Sequence, residues 1–308
     1  MAVVTTGFFD GVHLGHRHVL EAVTSCARER GEEAVVVTFW PHPRTVLQQD
    51  ARDLRLLSSL EEKKALLVAA GIDRVEVLPF TRSFAAMSAA EYLLMLRERF
   101  GATVVVMGYD NRIGSDRKEI RDLMGDQSLP TALQAVGPLP FTRSRATTGI
   151  VDGQSPIYIS STKIRETLAD GDIDLANGML GYRYGLHGVV VAGNRLGRTL
   201  GFPTANMKLY EPLKLIPAGG VYSVDVQVLG KDYRGMCNIG VRPTVGASGG
   251  LTIETNIFDF DEDIYGLDIR IAFRGRIRDE RRFASLEELK VQLGQDKLRC
   301  ENAFSAPL

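Results

Sequence analysis

Two histidines, His13 and His16, stand three residues apart just after Gly7-Phe8-Phe9-Asp10-Gly11. On a helix such a pair projects from one face. At a helix start, unpaired backbone N–H groups and the positive dipole end already favour an anion. Two imidazole donors there suit the charge that builds on a phosphoryl group in transfer. A second set, Ser161-Thr162-Lys163-Ile164-Arg165, places two hydroxyls at a helix start and an arginine one turn on, where its fork can take phosphate oxygens. Alone, that set also fits a capped surface helix with a solvated arginine. A third stretch carries Gly193, Gly197 and Gly201 without a Walker G-K-[ST]; such glycines let backbone N–H groups close over phosphates, or simply build a hairpin. Thr204 and Asn206 share one face if the chain is extended there, and a hydroxyl with an amide oxygen suits a hydrated Mg²⁺. Glu254 lies among apolar and small residues. It is either a solvated outer-face carboxylate or, beside a bound γ-phosphate, a base for a primary hydroxyl.

These side chains need elements to position them. Residues 3–6, 34–39, 75–78 and 103–107 are apolar runs of strand length, while 60–70, 89–100 and 160–171 have helical spacing and end at or beside glycine. Strands this apolar, alternating with helices, predict a parallel sheet covered on both faces, with ligands at the carboxyl ends of its strands. The turn over 7–16 and the turn Gly108-Tyr109-Asp110-Asn111 both fall there. His18 points elsewhere and reads as structural, and Trp40-Pro41-His42-Pro43-Arg44 is a ligand-side loop or an ordinary proline turn. After Tyr182 the texture changes. Residues 188–192, 221–229, 233–239, 251–257 and 267–273 are strand-like, with glycine and proline turns and no helix until Ser285. That pattern predicts an antiparallel sheet or barrel, closed by a helix with Leu286, Leu289 and Leu293 on one stripe. The acidic run Asp259, Asp261, Glu262 and Asp263 reads as a solvated turn.

A chain of 308 residues is long for one domain and comfortable for two. Its 44% hydrophobic and 24% charged content is that of a globular protein, and a net charge of -1 does not suggest bulk nucleic-acid binding. Cys26, Cys237 and Cys300 lie far apart and are odd in number, which fits a reducing compartment better than a disulfide framework or a structural zinc site. No leader-like segment and no membrane-length apolar run is present. The expectation is a cytoplasmic protein with small-molecule ligands, no nucleic-acid or membrane partner, and a monomeric or weakly self-associating state.

The run G-F-F-D-G-V-H-L-G-H, with I-S-S-T-K-I-R downstream, resembles the HxGH nucleotidyltransferases, most closely the adenylyltransferase module of bacterial bifunctional riboflavin kinase/FMN adenylyltransferases. G-R-T-L-G-F-P-T-A-N, N-I-G-V-R-P-T and I-E-T-N-I-F-D-F resemble the riboflavin kinase domain of the same enzymes, so the resemblance covers nearly the whole chain. It implies an α/β fold: a Rossmann-like nucleotidyltransferase domain over 1–170, a linker over 171–181, and a six-stranded antiparallel β-barrel with a closing helix over 182–308. It further implies that riboflavin is phosphorylated to FMN in the barrel and FMN adenylylated to FAD in the first domain, each step with Mg²⁺ and ATP. On this resemblance His13 and His16 bind the ATP phosphates and the transition state within the turn of Gly7, Phe9, Asp10 and Gly11. Ser161, Thr162 and Arg165 hold the phosphates that leave as pyrophosphate, and Asp110 takes the acidic or amide position of the family's G-x-D-F-x-F-G loop. Thr204 and Asn206 ligate Mg²⁺–ATP, and Glu254 is the base on the ribityl 5′-hydroxyl. Gly193, Gly197, Arg198 and Gly201 form one flap, and Asn238, Arg242, Pro243 and Thr244 another. Asn111 and Ile113 depart from the family's aromatic positions. The alternatives are an adenylyltransferase with another phosphorylated acceptor, or a flavin-binding regulatory protein whose catalysis has decayed.

Overall fold

The computed structural model describes residues 1–48, 51–109, 111–124, 129, 131–141, 157–193, 196–241 and 251–305. It forms two compact units, Met1–Ser161 and Thr162–Leu308.

In the first unit, strands β1 (Ala2–Thr6), β2 (Glu33–Trp40), β3 (Arg74–Pro79), β4 (Ala102–Gly108) and β5 (Ala132–Val136) pair in the order β3-β2-β1-β4-β5. All four pairings are parallel. Because successive side chains alternate between faces, Val3, Val36 and Val106 join one core and Val4, Val35 and Val105 the other. Helix α1 (Leu14–Arg30) covers the first with Leu20, Val23 and Ala27, aided by Leu67 of α2 (Leu60–Ala69). Helix α3 (Ala89–Phe100) covers the second with Tyr92, Leu93, Leu96 and Phe100. Capping boxes at Ser59/Glu62 and Ser88/Glu91 start α2 and α3, satisfying N–H groups that a bare helix end leaves open. The strand order reverses between β1 and β4, the switch point at which such sheets take ligands.

In the second unit, β6 (Gly185–Val191), β7 (Ala205–Leu209), β8 (Gly220–Val228), β9 (Lys231–Val241), β10 (Leu251–Ile257) and β11 (Asp268–Arg278) close a barrel in the order β6-β7-β10-β9-β8-β11. Every pairing is antiparallel. The final helix, Leu286–Ser305, packs Cys300 and Phe304 on Met236 and Phe258, with Leu293 beside them. Arg278 of β11 pairs with its fully buried Asp296 at 2.8 Å, and Gln292 donates to the same carboxylate.

Among the elements absent from the sequence reading, two bear on the sites. Strand β5 was not expected, because its sequence ALQAV is short and holds two alanines and a glutamine, which carry little strand preference. The glycine-rich loop holds a helical turn, Leu196–Thr199, where only turns were expected. Residues 171–181, whose sequence reads as a short helical connector, do hold a helix, Ile173–Leu180. Its Asn177 donates to the Phe273 carbonyl of β11 and accepts from the Tyr184 N–H, and the helix Ser161–Ala169 before it bonds through the Leu168 carbonyl to Ala218 N–H, so both pack within the second unit.

Candidate active sites

Strand β1 ends in a turn whose backbone is left-handed at Phe9, Gly11 and Val12, with φ of 52°, 77° and 38°. Only Gly11 adopts that region freely; a phenylalanine and a β-branched valine stay there when neighbours hold them. Several hydrogen bonds do so. The Asp10 carboxylate accepts from Leu57 N–H at 2.9 Å and Ser58 N–H at 3.1 Å, and Gly11 N–H donates to Ser58 Oγ at 3.0 Å. The Phe8 carbonyl accepts from Thr38 Oγ1 at 3.2 Å and from Lys63 Nζ at 3.0 Å. Asp10 and Gly11, expected among the phosphate contacts, therefore brace the turn from behind. Ser161 Oγ donates to the Asp10 carbonyl at 3.0 Å.

His13 is the N-cap of α1 and lies outside the helix, with extended φ and ψ. The sequence reading placed it inside the first turn; its side chain instead takes the capping job, Nδ1 accepting from His16 N–H at 3.2 Å. The two rings still come together, stacked with centroids 3.6 Å apart. An accepting Nδ1 leaves the proton of a neutral His13 on Nε2, as a donor. Burial, then the neighbouring His13 and Lys63, hold His16 well below the usual histidine range, so His16 is neutral near pH 7.

A cavity of about 410 Å³ opens on this pair, lined by Gly7, Phe9, His13, His16 and Ser161 together with Gly108 and Val136 at the ends of β4 and β5. A second, of about 380 Å³, is lined by Phe39, Phe80, Phe84 and Tyr92. Those rings meet with centroids 5.3 to 5.8 Å apart. Thr6, Gly7 and Asn111 belong to both cavities, so the two adjoin there. Thr6 Oγ1 and Tyr92 Oη hydrogen-bond on the aromatic side. Of the departures from the family loop, Ile113 is buried in the α3 core and Asn111 stands at the shared wall. Trp40 and His42 flank the Phe8 ring, and His42 caps the short helix Pro43–Leu47. Thr162 and Arg165 lie on Ser161–Ala169 within the second unit; Asp110 lies outside the described residues.

In the barrel, register does the assembling. Asn206 of β7 pairs with Glu254 of β10, and Glu254 pairs with Asn238 of β9, so three polar side chains stand in one row across adjacent strands. Thr204 Oγ1 donates to Glu254 Oε2 at 3.4 Å, and Asn256 Nδ2 ties the Pro203 carbonyl to β10 at 2.7 Å. A Cβ at Gly193 would overlap the Asn206 carboxamide, and one at Gly197 the Phe202 carbonyl. The loop N–H groups of Leu200, Gly201 and Phe202 bond within the loop, to the Gly197 and Arg198 carbonyls. A small cavity of about 70 Å³ beside Thr204 is lined by Arg198, Thr255, Phe260 and Tyr265. The exposed acidic residues Asp261, Glu262 and Asp263 form its rim, which the solvated-turn reading did not include. Hydroxyl, carboxamide and carboxylate oxygens make a hard donor set that fits Mg²⁺ carried by a nucleotide. Arg242, Pro243 and Thr244 lie outside the described residues.

The sequence reading missed the brace of Thr38, Leu57, Ser58 and Lys63. One signal was present: Leu60, Lys63 and Leu67 fall on a single stripe of α2, and Lys63 and Leu67 are buried together.

A family model described as FAD synthetase matches residues 1–140, and one described as riboflavin kinase matches residues 180–304. The chain is 38% identical over 304 residues to the bifunctional riboflavin kinase/FMN adenylyltransferase of Escherichia coli K12, covering 98% of this chain and 92% of that one. Against the Bacillus subtilis protein of the same description it is 35% identical over 306 residues, covering 99% and 93%. A solved structure from Streptococcus pneumoniae, described as a macrolide-efflux protein, matches with a TM-score of 0.87 at 33% identity, covering 98% of this chain and 94% of that one. Among the described residues, no helix is long and apolar enough to cross a membrane.

Proposed function

This chain belongs to the family of bifunctional riboflavin kinase/FMN adenylyltransferases, and on that premise we propose how its two units divide the work. The barrel phosphorylates riboflavin to FMN, and the parallel-sheet unit transfers an adenylyl group from ATP to FMN, giving FAD and pyrophosphate. The observation that carries the second assignment is the pair of adjoining cavities, one facing the stacked His13 and His16 and one walled by aromatic rings, meeting at Thr6, Gly7 and Asn111. Nucleotide phosphates suit the first and a flat flavin ring the second.

In adenylyl transfer the FMN phosphate is already an anion and attacks the α-phosphorus without a base. His13 Nε2–H and His16 then act as donors to charge developing on that phosphorus, and the turn N–H groups add backbone dipoles. Ser161, which lines the same cavity, takes the departing phosphates. In the barrel, Glu254 orients and deprotonates the ribityl hydroxyl, while Thr204 and Asn206 hold the nucleotide-borne Mg²⁺, which supplies neutralisation of phosphate charge. The chain is read as a cytoplasmic protein, monomeric or weakly associating, that handles small molecules and neither nucleic acid nor membrane; its three cysteines are free thiols, as a reducing compartment requires.

The test is direct. Purified protein is incubated with riboflavin, ATP and Mg²⁺, and riboflavin, FMN and FAD are separated by chromatography. FMN is expected first and FAD second. Riboflavin left unconverted, or FMN that never yields FAD when supplied with ATP, defeats the corresponding half of the assignment.

A further inference from the structure

Lys63 is 1% exposed. An ammonium is costly to bury, so its place in α2 calls for a reason. Its Nζ donates to the Phe8 carbonyl at 3.0 Å and lies 3.9 Å from the centroid of the Phe8 ring and 5.7 Å from that of Trp40. Among the described residues it lines neither cavity; Phe8 and Phe9 line the histidine cavity instead. In a trans peptide the C=O and N–H point opposite ways. Drawing the Phe8 carbonyl onto Lys63 and Thr38 therefore turns the Phe9 N–H away from both, at a residue whose left-handed φ of 52° needs holding.

We propose that Lys63 is a positioning residue for adenylyl transfer, its buried ammonium pinning the Phe8–Phe9 peptide so that the Phe9 N–H meets the nucleotide phosphates, and standing behind the turn as a desolvated positive charge. This rests on the adenylyltransferase reading of the first unit. A fixed charge in a water-poor site acts on a polyphosphate more strongly than one in solvent. The groups that face it are Asp10 from the turn and His16 from α1. On its own helix, Glu61 is engaged with Lys64 and Glu62 with Ser59. Burial pushes Lys63 down to about 8, with Asp10 opposing, so the charge is lost at mildly alkaline pH.

The experiment uses the full chain. FAD formation from FMN and Mg²⁺–ATP is followed from about pH 6.5 to about 9.5 for wild type, Lys63→Met and Lys63→Arg, with circular-dichroism melts on the same preparations. Wild-type kcat should fall as pH rises through about 8. Lys63→Met should be about tenfold or more lower in kcat at neutral pH, with little change in KM for FMN and no alkaline limb near 8. FMN formation from riboflavin by the same preparation should be unchanged. A folded Lys63→Met with wild-type kcat and the wild-type alkaline limb overturns the proposal. If that variant does not fold, Lys63→Arg decides: arginine stays charged throughout, so an alkaline limb moved out of range supports the role and an unmoved limb overturns it. A wild-type enzyme that makes no FAD from FMN overturns the adenylyltransferase reading itself, and this role with it.

Discussion

The site of the first unit stands on a turn held left-handed at Phe9, Gly11 and Val12, whereas that of the barrel stands on extended strands paired in register at Asn206, Glu254 and Asn238. In the turn, the backbone shapes the pocket, and its conformation is maintained by Ser58 and Lys63, far along the chain from Asp10 and Phe8. In the barrel, the hydrogen-bond ladder aligns the side chains and the backbone needs no unusual φ at those positions. A strained turn is therefore exposed to substitutions far from the pocket, while a strand row is exposed mainly to whatever crowds the row.

That difference can be broken at several points. Glu254→Ala should lower FMN formation by about 10²–10⁴-fold while FAD formation from supplied FMN persists, both read by chromatography. His16→Ala should do the reverse, lowering FAD formation by about 10²–10³-fold with FMN formation largely intact. If either change silences both activities in a folded protein, the two sites are not independent. Gly193→Ala, by pressing on Asn206, should raise the KM for Mg²⁺–ATP in the kinase reaction by about tenfold, or about 1.4 kcal/mol, and leave adenylyl transfer alone.

Stability sharpens the contrast. Lys63 titrates near 8 in the folded state against 10.5 for the free side chain, so between those values the unfolded chain binds more protons. The first unit should thus gain up to about 3 kcal/mol as pH rises from about 8 to about 10.5, a gain absent from Lys63→Met in denaturant melts. His16 is lowered as well, so its contribution is lost as pH falls below about 6.5. Smallest, Asp10→Ala should strip Leu57 and Ser58 N–H of their acceptor and cost the first unit about 1–3 kcal/mol by thermal melt, with the barrel's kinase activity unchanged.

Much of this architecture was readable from residue order. Apolar runs such as Val35-Val36-Val37 announced a covered parallel sheet, and the change of texture after Tyr182 announced an antiparallel one. Strand β5 escaped because Ala132, Gln134 and Ala135 carry little strand preference, and β4 recruits it through hydrogen bonds that no local pattern records. His13 was read as helical because spacing alone cannot tell a first-turn residue from a cap; the choice was made by its Nδ1 bond to His16 N–H.

By itself, the sequence determined the type of its long, strongly periodic elements, the two glycine-rich turns and the identities of the polar groups beside them, since periodicity and short-range spacing are local properties of a chain. Only the tertiary structure decided that Lys63 stands behind Phe8, that Asp10 faces Leu57 and Ser58, and that Asn206, Glu254 and Asn238 share a row. These contacts join segments far apart along the chain, and which distant groups meet follows from how sheets and helices pack, which no window of neighbouring residues encodes.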